Sequence, residues 1–415
     1  MAFVGRTAQR VSGEDDAVAG AASDEAWSRR PWNDPAARTL PGREAPGQSM
    51  KLFRCQACDN VVYFENRVCT RCGHRLGYVP ELGNMCALEP AGDPAWTPVG
   101  ADGAPRRFCA NADYDACNWL LPAAEPDRLC RACRHNDTIP DISIPEHLEA
   151  WRMIELAKHR VFYSLMRWRL PLRTRAEDPV HGLAFEFLAD PPQAGGPKVM
   201  TGHDNGLVTI ALAEADPAEI ERRRSEMEEP YRTLLGHFRH EIGHHYWDVL
   251  VRDGGRLDAF RAAFGDETQD YAAALQRHYR DKPPADWQER FVSAYATSHP
   301  WEDFAETWAH YFHIVDTLDT ANAFGLSIAP AIAREGAYRA RVDFDPYVSG
   351  DIDEIIEAWA PVAVAMNSIN RAMGRPDLYP FVLAPAVIAK LGFVHGLVRG
   401  IGRARRCSED LGSAA

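Results

Sequence analysis

The five residues His240-Glu241-Ile242-Gly243-His244 carry the clearest chemical signal in the chain. On an α-helix, side chains four positions apart stand on one face, so both imidazoles can reach a single metal ion. Glu241 follows the first imidazole and projects beside the metal rather than onto it. There it can take a proton from a water held at the metal and later pass it to a leaving amine. Zinc suits this donor set, because it lowers the pKa of such a water to about 7. Leu234, Leu235, Phe238, Ile242 and Val249 recur at core spacing, which predicts a continuous helix over 231–250. The plain alternative is an exposed helix with two unemployed histidines.

Two histidines leave such a site one ligand short. A third histidine at position 250 would complete one known arrangement, but Leu250 stands there. The segment Trp301-Glu302-Asp303-Phe304-Ala305-Glu306 offers another solution. Glu302 and Glu306 lie one helical turn apart on a shared face, whereas Asp303 is turned about 100° away. One glutamate can bind the metal while the other accepts a hydrogen bond from a ligand histidine and fixes its tautomer. Equally, acidic residues simply suit the start of a helix. Tyr295, seven positions before Glu302, can offer its hydroxyl to a developing oxyanion or can be a packed tyrosine. His245 points about 100° from His244 and reads as support or core. His299, His310 and His313 read as core or surface.

The second signal is cysteine. Cys55-x2-Cys58 and Cys69-x2-Cys72 are two knuckles whose four thiolates can satisfy a tetrahedral zinc ion. Cys130-x2-Cys133 with the looser pair Cys109 and Cys117 predicts a second structural zinc site, and Cys86 can replace one of the looser pair. Closed four-thiolate sites are structural rather than catalytic, and modules this small need metal because their cores are small. Metal-type spacing of eight of the ten cysteines fits a reducing, cytoplasmic setting. Cys86 and Cys407 are left over.

The elements that must position these groups can be read in outline. Residues 1–49 are rich in Ala, Gly, Pro, Ser and Asp without periodicity, which predicts a disordered tail, and translation can begin at Met50. Residues 51–80 form the first zinc module and 81–140 the second; 141–400 form the larger domain, and 401–415 a flexible end. Helices are predicted from near Ile144 to Trp168, across 217–251 as one or two with Pro230 opening the second, and over 256–281, 287–297, 301–322 and 351–373. Leu207 to Leu212, reading LVTIAL, is a strand that can serve as an edge for an extended peptide. Val387 to Val398 is apolar but interrupted by Lys390 and His395, which predicts a docked helix rather than a membrane span. The net charge of −13 argues against a chain built to coat nucleic acid or an anionic membrane.

FRCQACDNVVYFENRVCTRCG at 53–73, CNWLLP at 117–122, CRACR at 130–134, TGHDNGLVTIALAEAD at 201–216, YRTLLGHFRHEIGHHYWDVL at 231–250 and EDFAETWAHYFH at 302–313 occur in an order that resembles a bacterial family of zinc-binding metallopeptidases with an N-terminal zinc ribbon. The resemblance covers about residues 51–400 and implies peptidase chemistry without naming a substrate. The Tyr295, Glu302, Glu306 spacing is also similar to lethal-factor-type gluzincins. That likeness implies Glu302 as ligand and Glu306 as the support of a histidine. The resulting expectation is an α+β, mostly helical, zincin-like peptidase domain behind two zinc-binding modules, with one catalytic and two structural zinc ions and a peptide or protein substrate. Protein or nucleic-acid contact through the ribbon stays open. The rivals are a nucleic-acid-associated protease similar to the SprT type, and a non-enzymatic zinc-stabilised binding protein.

Overall fold

The computed structural model describes residues 52–101, 103–191, 198–226, 233–332 and 338–412, with 401–412 described by backbone alone. All of these lie in one unit, Gly47–Ala415. The tail 1–49, Met50 and the helix opening at Pro230 fall outside the described residues, as does the side chain of Cys407.

The cysteine-rich part is built from short strands. β1 (Phe53–Arg54) and β2 (Val61–Val62) pair antiparallel and hold the first knuckle between them. β3 (Arg75–Val79), β4 (Asn84–Pro90), β5 (Trp96–Pro98), β6 (Arg106–Phe108) and β7 (Leu120–Pro122) follow as an antiparallel meander in that order. A bridge between Tyr78 and Trp119 draws its outer strands together. Gly77 permits that approach, since a Cβ there would lie 2.2 Å from Leu120 Cδ1.

A second, four-stranded sheet joins β8 (Asn136–Thr138), β9 (Ala184–Leu188), β10 (Gly202–Asp204) and β11 (Leu207–Ala211) in the order β10-β11-β9-β8. β11 runs parallel to β9 and antiparallel to β10, and β8 runs parallel to β9. The LVTIAL segment is therefore an inner strand. The edge beside it is β10, too short to show a period-2 pattern in sequence. Asn205 and Gly206, both at positive φ (45° and 82°), make the tight β10–β11 turn.

Helices supply the rest: α1 (Pro145–Arg167), α2 (Pro217–Glu226), α3 (Leu234–Tyr246), α4 (Leu257–Phe264), α5 (Tyr271–Asp281), α6 (Pro300–Ala323), α7 (Ile352–Ala372) and α8 (Pro385–Gly412). Thr233 caps α3 by accepting the Gly236 N–H at 3.0 Å, and the helix runs on into a π-helical stretch, Trp247–Arg252. The predicted single helix 256–281 is two, because Gly265 at φ 102° ends α4 and Asp270 caps α5. The predicted helix 287–297 is two 3₁₀ turns, Trp287–Glu289 and Tyr295–Thr297.

α3 and α6 pack against each other through a seam that includes Tyr246 and Trp308, whose rings stack with centroids 5.1 Å apart. Gly243 makes the approach possible, because a Cβ there would lie 3.0 Å from Ala305 Cα. One continuous core runs from Phe53 to Val398. Phe64 and Tyr78 of the cysteine-rich part lay their rings 5.6 and 6.1 Å from Tyr163 of α1. α8 docks through buried Val387, Leu391, Val394 and Val398. Among the described residues no helix is long and apolar enough to cross a membrane.

Candidate active site and metal centres

The close seam between α3 and α6 turns two helix faces into one site. His240 and His244 project from α3, Glu302 and Glu306 from α6. His240 Nε2 lies 3.0 Å from Glu302 Oε2 and 3.3 Å from His244 Nε2, and His244 Nε2 lies 3.6 Å from the same carboxylate oxygen. A tetrahedral zinc with bonds of about 2.0–2.1 Å has ligand–ligand edges of about 3.3–3.4 Å. The three donors therefore fit three corners of one such shell, and the donor types fit zinc.

The supports of these ligands are equally defined. Glu306 Oε1 accepts the His240 Nδ1–H at 2.7 Å, so Nε2 is the nitrogen left to face Glu302 and His244. Ser293 Oγ donates to the other oxygen of Glu306 at 2.5 Å. Tyr271, at the start of α5, donates its hydroxyl to Glu302 Oε1 at 2.7 Å, which leaves Oε2 facing the histidines. The structure thus puts Glu302 against both imidazole Nε2 atoms and Glu306 behind His240. Asp303 faces away and pairs with Lys390 Nζ at 2.6 Å.

Electrostatics point the same way. Burial disfavours a charged His240, yet its hydrogen bonds to Glu302 and Glu306 outweigh this and hold its pKa well above the usual value. Burial likewise opposes the charge on Glu302, but His244 and His240 hold it well below the carboxylate range. Such a cluster is arranged to receive positive charge between its carboxylates and imidazoles. Tyr295 places its ring 5.9 Å from that of His240. Burial first, and the Glu302 charge second, push the pKa values of Tyr295 and Tyr271 upward, so both keep their hydroxyl protons. Glu241 is half-buried beside this group, and its charge contributes to both shifts.

The weaker histidines have other employment. His299 caps α6 by accepting the Trp301 N–H at 3.1 Å, and His310 pairs with the Tyr379 hydroxyl at 2.7 Å. His313 contacts Arg239. Arg239 also reaches Asp316, which in turn accepts from Ser164 Oγ of α1 at 2.9 Å and from the Tyr347 hydroxyl. His245 is buried, 6.3 Å ring to ring from His203 on β10.

Both cysteine sets assemble. Cys55, Cys58, Cys69 and Cys72 bring their sulfurs together, with Cys55–Cys72 and Cys58–Cys69 each at 3.6 Å. Bonds of about 2.3 Å to a tetrahedral zinc imply edges of about 3.8 Å. Burial pushes the Cys55 thiol up to about 12, whereas backbone N–H groups of Cys72 and Arg71 outweigh burial at Cys69 and bring it down to about 6. A cation that joins these crowded sulfurs takes them as thiolates. Cys109, Cys117, Cys130 and Cys133 form the second cluster, entirely buried, with Cys117 and Cys130 sulfurs at 3.8 Å. Cys86 stands apart from both, on β4.

Sequence reasoning missed Tyr271, Ser293 and His159. The first two sit 31 and 13 positions from their partners. His159 lies on the buried face of α1 among ordinary core residues, and its Nε2 enters the second cysteine cluster.

Residues 52–144 match a zinc-ribbon domain. Uncharacterized proteins of Mycobacterium tuberculosis (strains H37Rv and CDC 1551) and of Mycobacterium bovis are each 43% identical over 352 residues, covering 84% of this chain and 95% of the relative. No solved structure matches the chain. Residues 147–397, the stretch that carries His240, His244, Glu302 and Glu306, match the family described as "putative zinc-binding metallo-peptidase", and the chain belongs to that family.

Proposed function

We propose that this protein hydrolyses peptide bonds at a gluzincin-type centre in which His240, His244 and Glu302 hold zinc. The observation that carries the reading is the triangle of donor atoms at 3.0, 3.3 and 3.6 Å with Glu306 fixing the His240 tautomer from behind. Zinc bound there supplies Lewis acidity and a water acidic enough to ionise near neutral pH. The chain's own residues do the rest. Glu241 receives the proton from the attacking water on its carboxylate and returns it to the leaving nitrogen. Tyr295, kept protonated, donates from its hydroxyl to the oxyanion that develops on the scissile carbonyl. Tyr271 and Ser293 hold Glu302 and Glu306 in their rotamers and touch no substrate.

Two further zinc ions belong, on this reading, in the cysteine clusters, where they fold the small modules. The metal-type spacing of the cysteines supports a cytoplasmic setting. The experiment is mass-spectrometric profiling of a peptide library with the zinc-replete chain and with Glu241→Gln. Cleavage by the native chain, lost in Glu241→Gln at unchanged zinc content, is the expected result. A native chain that is fully zinc-loaded and cleaves nothing removes the reading in favour of a binding protein.

A further inference from the structure

The second cysteine cluster holds five donors for four positions. His159, on α1, extends into it, with Nε2 3.3 Å from Cys117 Sγ, 3.6 Å from Cys133 Sγ and 4.0 Å from Cys130 Sγ. Its other nitrogen, Nδ1, lies 2.6 Å from the carbonyl oxygen of Glu155, one turn back on the same helix. A carbonyl oxygen only accepts, so the ring proton sits on Nδ1 and Nε2 presents a lone pair. A lone pair turned toward three sulfurs in a buried site is held either by a thiol proton or by a cation among them, and a cation satisfies all four donors at once. For a tetrahedral zinc with sulfur bonds of about 2.3 Å and a nitrogen bond of about 2.0–2.1 Å, the nitrogen–sulfur edges are about 3.5–3.6 Å. The three observed separations bracket that edge.

From this we infer that the second structural zinc is bound by Cys117, Cys130, Cys133 and His159, with Cys109, buried in the same cluster, as a spare thiol. The imidazole replaces one thiolate, which lowers the negative charge enclosed in the core. That matters here because Glu155 already stands 3.6 Å from Cys133 Sγ and is balanced by Lys158 at 2.9 Å. The ligand set also crosses a boundary in the chain. Three ligands come from the zinc-ribbon stretch 52–144 and the fourth from a helix of the peptidase stretch 147–397. The metal is therefore a cross-link between the two, not an ornament of the ribbon alone. It has an approach route too: a cavity of about 280 Å³ is lined by Cys117 and His159 together with Arg67, Asp115 and Arg152.

The test reads metal, not activity, and is independent of whether the chain cleaves peptides. Zinc is counted in the full native chain, Cys109→Ala, His159→Ala and the double variant. Three zinc ions are expected in the native chain and in both single variants, since either donor can fill the fourth position, and two in the double variant. Loss of one zinc from Cys109→Ala with full zinc in His159→Ala overturns the inference, as does a native chain that lacks the third zinc. Should the variants fail to fold, X-ray absorption at the zinc edge of the native chain decides it. About seven sulfur ligands over three zinc ions support the mixed site, and about eight overturn it.

Discussion

At the residue scale the proposed centre gives the two glutamates of α6 different duties, and the difference is measurable. Glu302→Ala removes a donor that lies within 3.6 Å of both imidazole Nε2 atoms, and it is expected to abolish tight zinc binding at that centre. Glu306→Ala leaves all three donors in place and frees the His240 ring, so affinity or turnover should fall by about 10–100-fold. Zinc titration of both variants checks this, and a reversed order of severity would reverse the roles. Tyr271→Phe belongs to the second class and should loosen zinc by a comparable or smaller factor. The two glutamates were legible in the sequence because one helical turn puts both on a face, and HExxH does the same for its histidines. Tyr271, Ser293 and His159 were not, since nothing local marks a side chain whose partner arrives from a distant element.

At the scale of elements, the site exists because α3 and α6 approach closely, and Gly243 sets how closely. Gly243→Val should push Ala305 and Trp308 away, separate the histidines from Glu302 and release the catalytic zinc, while the cysteine-bound zinc stays. Counting zinc in the folded variant checks the outcome. The start of α6 is pinned differently. Burial pushes Asp303 up to about 7 despite Lys390, whose Nζ also lies 4.2 Å above the ring of Phe291. Lys390→Met should cost about 1–3 kcal/mol in urea unfolding at neutral pH, since the buried Asp303 carboxyl loses its partner and takes up a proton instead. Helices of this length were readable from apolar spacing. The edge role assigned to LVTIAL was not, because β8 and β10, of three residues each, flank the sheet without a pattern of their own.

For the whole molecule, acid opposes folding through buried histidines. Burial pushes His135 and His310 down to about 4 and His245 down to about 3. In the unfolded chain each takes up a proton near pH 6.5. Between about 6.5 and 4 unfolding therefore binds protons, and stability falls as pH falls, by up to about tenfold in the folding constant per pH unit per histidine. Urea unfolding of zinc-replete protein at several pH values should show this slope, and His245→Gln should flatten it by one histidine's share whatever it does to the midpoint. A slope unchanged by the substitution would remove His245 from the account. The acid response was invisible in sequence, where a buried and an exposed histidine look alike.

The network around Arg239 has a mechanical consequence. Arg239 precedes His240 and is tied through Asp316 to α6 and through Ser164 to α1. It acts like the key on a shaft, fixing the angle at which α3 sits about its own axis. Imidazole atoms lie about 5–6 Å from that axis, so a roll of about 10° would carry them about 1 Å. A displacement of that size at a reacting centre can cost about 100-fold in rate. If the centre acts as proposed, turnover would be sensitive to Arg239, Asp316 and Ser164, and the damage from Asp316→Asn would be read as lost alignment: an intact fold, a bound metal and a slow catalyst.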